Sequence, residues 1–131
     1  MASPFARSEK IKTARDAVDY LQPFFLAGAV EKLAIVHLDT NQRIIDITEV
    51  QGCSVEVELP LRRVIAAALG AGASALILAH NHPSGDPAPS KADVEATQRL
   101  TKVAEPLGIS IYDHLIFAGG ESRSFRALGL L

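Results

Sequence analysis

The chain has 131 residues, of which 48% are hydrophobic and only 5% aromatic, with no tryptophan. That length suits one domain burying about two thirds of its unfolded surface around an aliphatic core. Thirteen basic residues against fifteen acidic ones leave a net charge of -2, a poor footprint for a dedicated nucleic-acid binder, and the lone Cys53 excludes an intrachain disulfide or a multi-thiolate zinc site.

The N-terminus, MASPFARSEK, lacks the apolar run of a signal peptide, so the expected location is cytoplasmic. Residues 9–21 predict a helix, with Ile11, Ala14, Ala17, Val18 and Leu21 on one stripe. Residues 31–39, EKLAIVHLD, read as a strand; TNQ makes a turn, and RIIDITEV returns as the hairpin partner. A third short strand is expected over residues 53–58, with Cys53 as a small buried apolar side chain.

A helix should start near Pro60, which the first turn accepts, and end near Gly70 and Gly72. Residues 64–79, VIAAALGAGASALILA, carry no charge, but a membrane span needs about twenty apolar residues and tolerates such glycine breaks poorly. The better reading is a helix end followed by a core strand, SALILAH, that runs into two histidines. After a proline-rich loop, a helix is expected from Ser90 to about Glu105, closed by Pro106 and Gly108. Residues 109–117, ISIYDHLIF, form another strand, and AGG turns into SRSF. This order predicts an α/β sandwich around one mixed sheet flanked by helices.

The chemistry concentrates in HNHPSGDPAPSKAD, residues 80–93. On a strand of period two, His80 and His82 share a face with Cα atoms roughly 6.5 Å apart. Two imidazoles can converge from that spacing on one ion, each needing a bond of about 2.0–2.1 Å. Pro83, Gly85, Pro87 and Pro89 make a loop with little entropy to lose on ordering. Ser90 is a natural helix N-cap, which puts Asp93 in the first turn, where the helix dipole favours the ionised carboxylate. S-x-x-D alone signals only a cap, and H-x-H alone is weak; their combination at this spacing points to a zinc site of three ligands with a fourth position open to water.

His80-x-His82-x7-Ser90-x-x-Asp93 resembles the JAMM (MPN+) metalloprotease motif, and the phrases HNHPSGDPAPSKAD, TQRL and LGISIYDHLIF resemble the bacterial RadC-type JAB domain in particular. The resemblance covers about residues 29–131, leaving residues 1–28 as an N-terminal helical segment. It implies a single-domain, cytidine-deaminase-like α/β fold of the JAB/MPN type, with one Zn(II) per chain bound by His80, His82 and Asp93. The family also uses a glutamate on an early strand, and Glu31 in EKLAIVHLD matches that position.

These residue types suit the hydrolysis of an amide, peptide or isopeptide bond. Zinc in such a site lowers the pKa of a water towards about 7. Glu31 is the candidate general base and Ser90 the candidate hydrogen-bond donor to the developing oxyanion. His37 is expected as a packed mid-strand histidine. Of Asp113 and His114, which face opposite sides of a strand, at most one should point at the site. Asn81 faces away from both histidines and is expected to tie down the loop, and Gly119-Gly120 is a turn.

The chain also departs from the RadC pattern. Residues 1–28 show no glycine hairpin of the kind found in the helix-hairpin-helix region that many members carry, and Arg62-Arg63 stands where an arginine followed by a glutamate is common. The expected partner is therefore a peptide or protein substrate, with no membrane. Two alternatives stay open: a DNA-repair-associated or nucleic-acid-acting protein, against which the acidic balance argues, and a non-catalytic MPN scaffold, which would usually have lost metal ligands. Spare edge strands also leave a homodimer open.

Overall fold

The computed structural model describes residues 10–25, 30–51 and 59–131. The expected strand over residues 53–58 and the burial of Cys53 lie outside them. Helix α1 covers Ala14–Leu21 and is followed by a short 3-10 turn to Phe25. It begins later than its apolar stripe predicts, because Thr13 and Asp16 form a capping box that satisfies the first free N–H groups at that point. The residues just ahead run extended instead: Lys10 bridges Arg43, and the Ile11 N–H donates to the Gln42 carbonyl at 3.0 Å.

Strands β1 (Lys32–Leu38) and β2 (Ile44–Gln51) form the expected hairpin. Helix α2 (Leu61–Ala71) starts after Pro60 and stops at Gly72, whose φ of 69° lies in the left-handed region that glycine adopts without strain. Strand β3 (Ala75–Asn81), helix α3 (Lys91–Ala104) and strand β4 (Ser110–Ala118) make a crossover, and β5 (Glu121–Ser124) returns after the Gly119-Gly120 turn. The sheet order is β2-β1-β3-β4-β5, antiparallel throughout except for the parallel β3–β4 pair. This is the mixed sheet expected from the sequence, and the one parallel pair needs α3 as its connection.

Alternation along the strands divides the core. Leu33, Ile35, Leu76 and Leu78 pack beneath α2 and α3, with Val64, Ala68 and Leu100. Ala34, Val36, Ile77, Ala79 and Phe117 face the other way, towards Ala17 and Leu21 of α1. No helix among the described residues is long and apolar enough to cross a membrane; the uncharged run of residues 64–79 is α2 and β3.

Candidate metal centre

The parallel crossover opens a crevice at the carboxyl end of β3, a place where α/β sheets commonly hold ligands. His80 belongs to β3, and His82 follows just after the strand ends. The His82 N–H nevertheless donates to the Phe117 carbonyl at 3.0 Å, so the backbone stays extended along β4. Both rings therefore lie on one face, with centroids 4.9 Å apart.

Asp93 arrives from the first turn of α3, and the cap holds it still. Ser90 Oγ accepts from the Asp93 N–H at 3.0 Å, while Asp93 Oδ2 accepts from the Ser90 N–H at 2.9 Å. Asp93 Oδ2 lies 3.0 Å from His82 Nε2, and Oδ1 lies 3.4 Å from His80 Nε2. Burial by itself would raise the Asp93 carboxyl, but the facing His80 ring and the Ser90 N–H outweigh it and hold the group well below the usual carboxylate range. The carboxylate is thus kept ionised, as a metal ligand must be.

His80 Nε2 and Asp93 Oδ1 are both buried, and neither has a hydrogen-bond partner. Leaving a buried polar atom unsatisfied costs about 1–3 kcal/mol, so two such atoms facing each other need a reason. A cation gives one, since it would be a partner to both. His80, His82 and Asp93 each offer a ligand atom, all within 4.8 Å of one another, and the set of two imidazoles and a carboxylate suits a divalent transition metal.

Behind these residues lies a second layer that the motif does not reveal. His80 Nδ1 is 2.7 Å from His114 Nε2, and His114 Nδ1 is 2.7 Å from Thr97 Oγ1. The Thr97 hydroxyl donates to the Asp93 carbonyl at 2.8 Å. Burial, reinforced by the neighbouring His80, pushes His114 well below its ordinary pKa, so the ring is neutral. It also stacks on Phe125, with centroids 4.6 Å apart. Of the Asp113-His114 pair, His114 is the one that faces the site. The Asp113 carboxylate turns away to accept from Ser124 Oγ at 2.6 Å and from the Arg126 N–H at 3.0 Å, tying the C-terminal turn to β4. His37 is packed as expected, bonded to Thr48 across the hairpin at 2.8 Å.

Glu31 sits immediately before β1. Leu33 pairs with His80, and carrying that antiparallel register two residues back puts Glu31 opposite His82, on the face that carries both histidines. Asn81 holds the segment in place: its Oδ1 accepts from the Lys32 N–H at 2.8 Å, and its Nδ2 donates to the Val30 carbonyl at 3.0 Å. Asn81 therefore faces away from the histidines as expected, but it clamps the chain around Glu31 rather than its own loop. Beside His82 a cleft of about 320 Å³ opens, walled by Phe25, Pro83, Gly85, Phe117 and Gly119. Close approach holds one of its glycines in place: a Cβ on Gly119 would stand 2.9 Å from the Gly85 carbonyl oxygen.

The profile of the RadC-like JAB domain family matches residues 11–130. A UPF0758 protein of Rhodobacter capsulatus is 42% identical over 115 residues, an alignment covering 87% of this chain and 54% of that protein. A UPF0758 protein of Ruegeria pomeroyi is 38% identical over 133 residues, covering 100% and 59% respectively. One from Symbiobacterium thermophilum is 36% identical over 131 residues, covering 99% and 56%. The chain thus spans a little over half the length of these relatives.

Proposed function

The chain belongs to the RadC-like JAB domain family, and from that premise we propose that it is a zinc-dependent hydrolase of amide bonds, peptide or isopeptide. The observation that carries this reading is the facing pair of orphaned buried atoms, His80 Nε2 and Asp93 Oδ1. Together with His82 Nε2 they are the ligands that would hold the ion. Zinc bound there supplies Lewis-acid polarisation of a carbonyl and makes water acidic enough to react near neutral pH.

The chain's own residues do the rest. Glu31 takes the proton that the attacking water gives up and delivers it to the leaving amine as the C–N bond breaks. Its register opposite His82 and the Asn81 clamp on its two neighbours support that role. The Ser90 Oγ accepts from the Asp93 N–H, and a hydroxyl so engaged keeps its own proton to donate. Ser90 gives that hydrogen bond to the carbonyl oxygen as it becomes an oxyanion. The cleft beside His82 is where a substrate chain would lie, between apolar walls from Phe25, Pro83 and Phe117 and polar groups from Gln22, Asn81 and Glu121.

The test is metal content by mass spectrometry, followed by turnover of a mixed quenched-fluorescent peptide library. Wild type should carry about one zinc per chain, and His80→Ala with His82→Ala should carry none. Glu31→Gln should keep the metal and lose about 10²- to 10⁴-fold in turnover. A wild-type chain that takes up no zinc would refute the metal centre, and a fully active Glu31→Gln would refute the general base.

A further inference from the structure

A zinc ligand must present a nitrogen without a proton, and His80 can offer Nε2 only if its one proton sits on Nδ1. What decides that is legible in the bonds behind the ring. Thr97 Oγ1 lies 2.8 Å from the Asp93 carbonyl oxygen, a contact between two oxygens that needs a proton between them. Only the hydroxyl can supply it. With its single hydrogen spent there, Thr97 must accept at its other contact, so the proton in the 2.7 Å bond to His114 sits on His114 Nδ1. A neutral His114 then has a bare Nε2, which must accept from His80 Nδ1 across the next 2.7 Å bond. When His80 carries a single proton, as a metal ligand must, that bond holds it on Nδ1 and leaves Nε2 bare.

The opposite proton order is disfavoured at Thr97, where it would leave the 2.8 Å oxygen–oxygen contact without a proton. His82 Nδ1 lies 2.8 Å from the Asp86 carbonyl, which can only accept, so Nδ1 carries a proton and Nε2 is the nitrogen turned to Asp93.

We propose that Thr97 and His114 are positioning residues that fix the tautomer of His80 through two successive hydrogen bonds and so keep its Nε2 available to a metal ion. The relay acts on a ligand from a position that touches no ligand atom of the metal. It rests on the metal centre proposed above, which it extends to residues outside the motif. Groups that orient metal-bound histidines are worth about 10- to 100-fold in metal affinity.

The experiment compares Thr97→Val with Thr97→Ser. Valine keeps the volume and removes the hydroxyl; serine keeps the hydroxyl and loses a methyl group. Without the hydroxyl, His114 is free to move its proton to Nε2 and donate to His80 Nδ1, which pushes the His80 proton onto Nε2. Ring-nitrogen NMR of the metal-free, histidine-labelled chain should show His80 protonated at Nδ1 in wild type and Thr97→Ser, and shifted towards Nε2 in Thr97→Val. Zinc titration with a competing chelator should show about a 10- to 100-fold loss for Thr97→Val and wild-type affinity for Thr97→Ser. A packing role predicts the reverse order, because serine leaves the void. Equal affinities for Thr97→Val and wild type, or a wild-type His80 protonated at Nε2, would overturn the proposal. Should Thr97→Val not fold, His114→Gln, whose amide can accept from His80, makes the same comparison against His114→Leu. A wild type with the Nδ1–H tautomer that binds no zinc overturns the metal reading alone; zinc binding with the opposite tautomer overturns the relay alone.

Discussion

Zinc should stabilise the folded chain by an amount set by its free concentration and by little else. His80 and His82 come from the end of β3, and Asp93 from the first turn of α3 beyond a proline-rich loop. The three ligand atoms meet within 4.8 Å only in the folded state, so the unfolded chain offers at best the weak H-x-H pair. Binding energy is then folding energy, and each tenfold rise in free zinc above the dissociation constant adds about 1.4 kcal/mol. For a domain of this size about 1 kcal/mol moves Tm by roughly 3–5 °C, so the slope should be about 4–7 °C per decade of zinc. Thermal melts by circular dichroism in a zinc–chelator buffer series at pH 7.5 measure it directly. Asp93→Ala should flatten the slope to near zero. The two histidines should differ in the chelated state: His80 is bonded to His114 in the core, and its loss strands that partner at a cost of about 1–3 kcal/mol. His82→Ala, at the edge of the cleft, should lower the chelated Tm less. A flat zinc series for wild type, or an equal slope in Asp93→Ala, would refute the reasoning.

Three further outcomes follow from the same contacts. Ser90→Ala should cost about 1 kcal/mol of stability in urea titrations, because it removes the acceptor for the Asp93 N–H, and Ser90→Thr should recover most of it. Gly119→Ala should destabilise the chain by about 1–3 kcal/mol and reshape the cleft beside His82, since its φ of 58° disfavours a side chain and its Cβ would meet the Gly85 carbonyl at 2.9 Å; an unchanged Tm would contradict it. His37 is held below its ordinary pKa by burial, which the Asp46 carboxylate offsets only in part. The unfolded chain then binds this proton more readily than the folded one, so the stability is fully present above the unfolded value of about 6.5 and is lost as pH falls from there towards the folded value. In chelator, urea midpoints between pH 7.5 and 5.5 should fall less steeply in His37→Gln than in wild type, by at most about 1.4 kcal/mol per pH unit.

Much of this protein is written locally in its sequence. Alternation along residues 75–82 puts His80 and His82 on one face, because a strand repeats every two residues. The S-x-x-D spacing builds the α3 cap and the placement of Asp93 from within a single turn, so the same residues that begin the helix also aim the carboxylate. Gly72 and Gly108 end their helical segments at positive φ, and the punctuation of the crossover is readable from them. Where a local rule competed with another, the periodic pattern misled: the stripe from Ile11 continues through residues that the Thr13 cap excludes from α1.

What lies behind the site needed the tertiary structure. His114 reaches His80 across 34 positions of sequence, Asn81 reaches Lys32 across 49, and neither bond has a spacing rule that could announce it. Thr97 reads in sequence as an ordinary helical threonine; only the packing of α3 over β4 turns its hydroxyl towards His114. Caps and strand faces depend on neighbours within a few bonds, so the sequence alone carries them. The proton on a buried imidazole depends on which acceptor the fold brings to its far side, and that is decided only when the chain has closed.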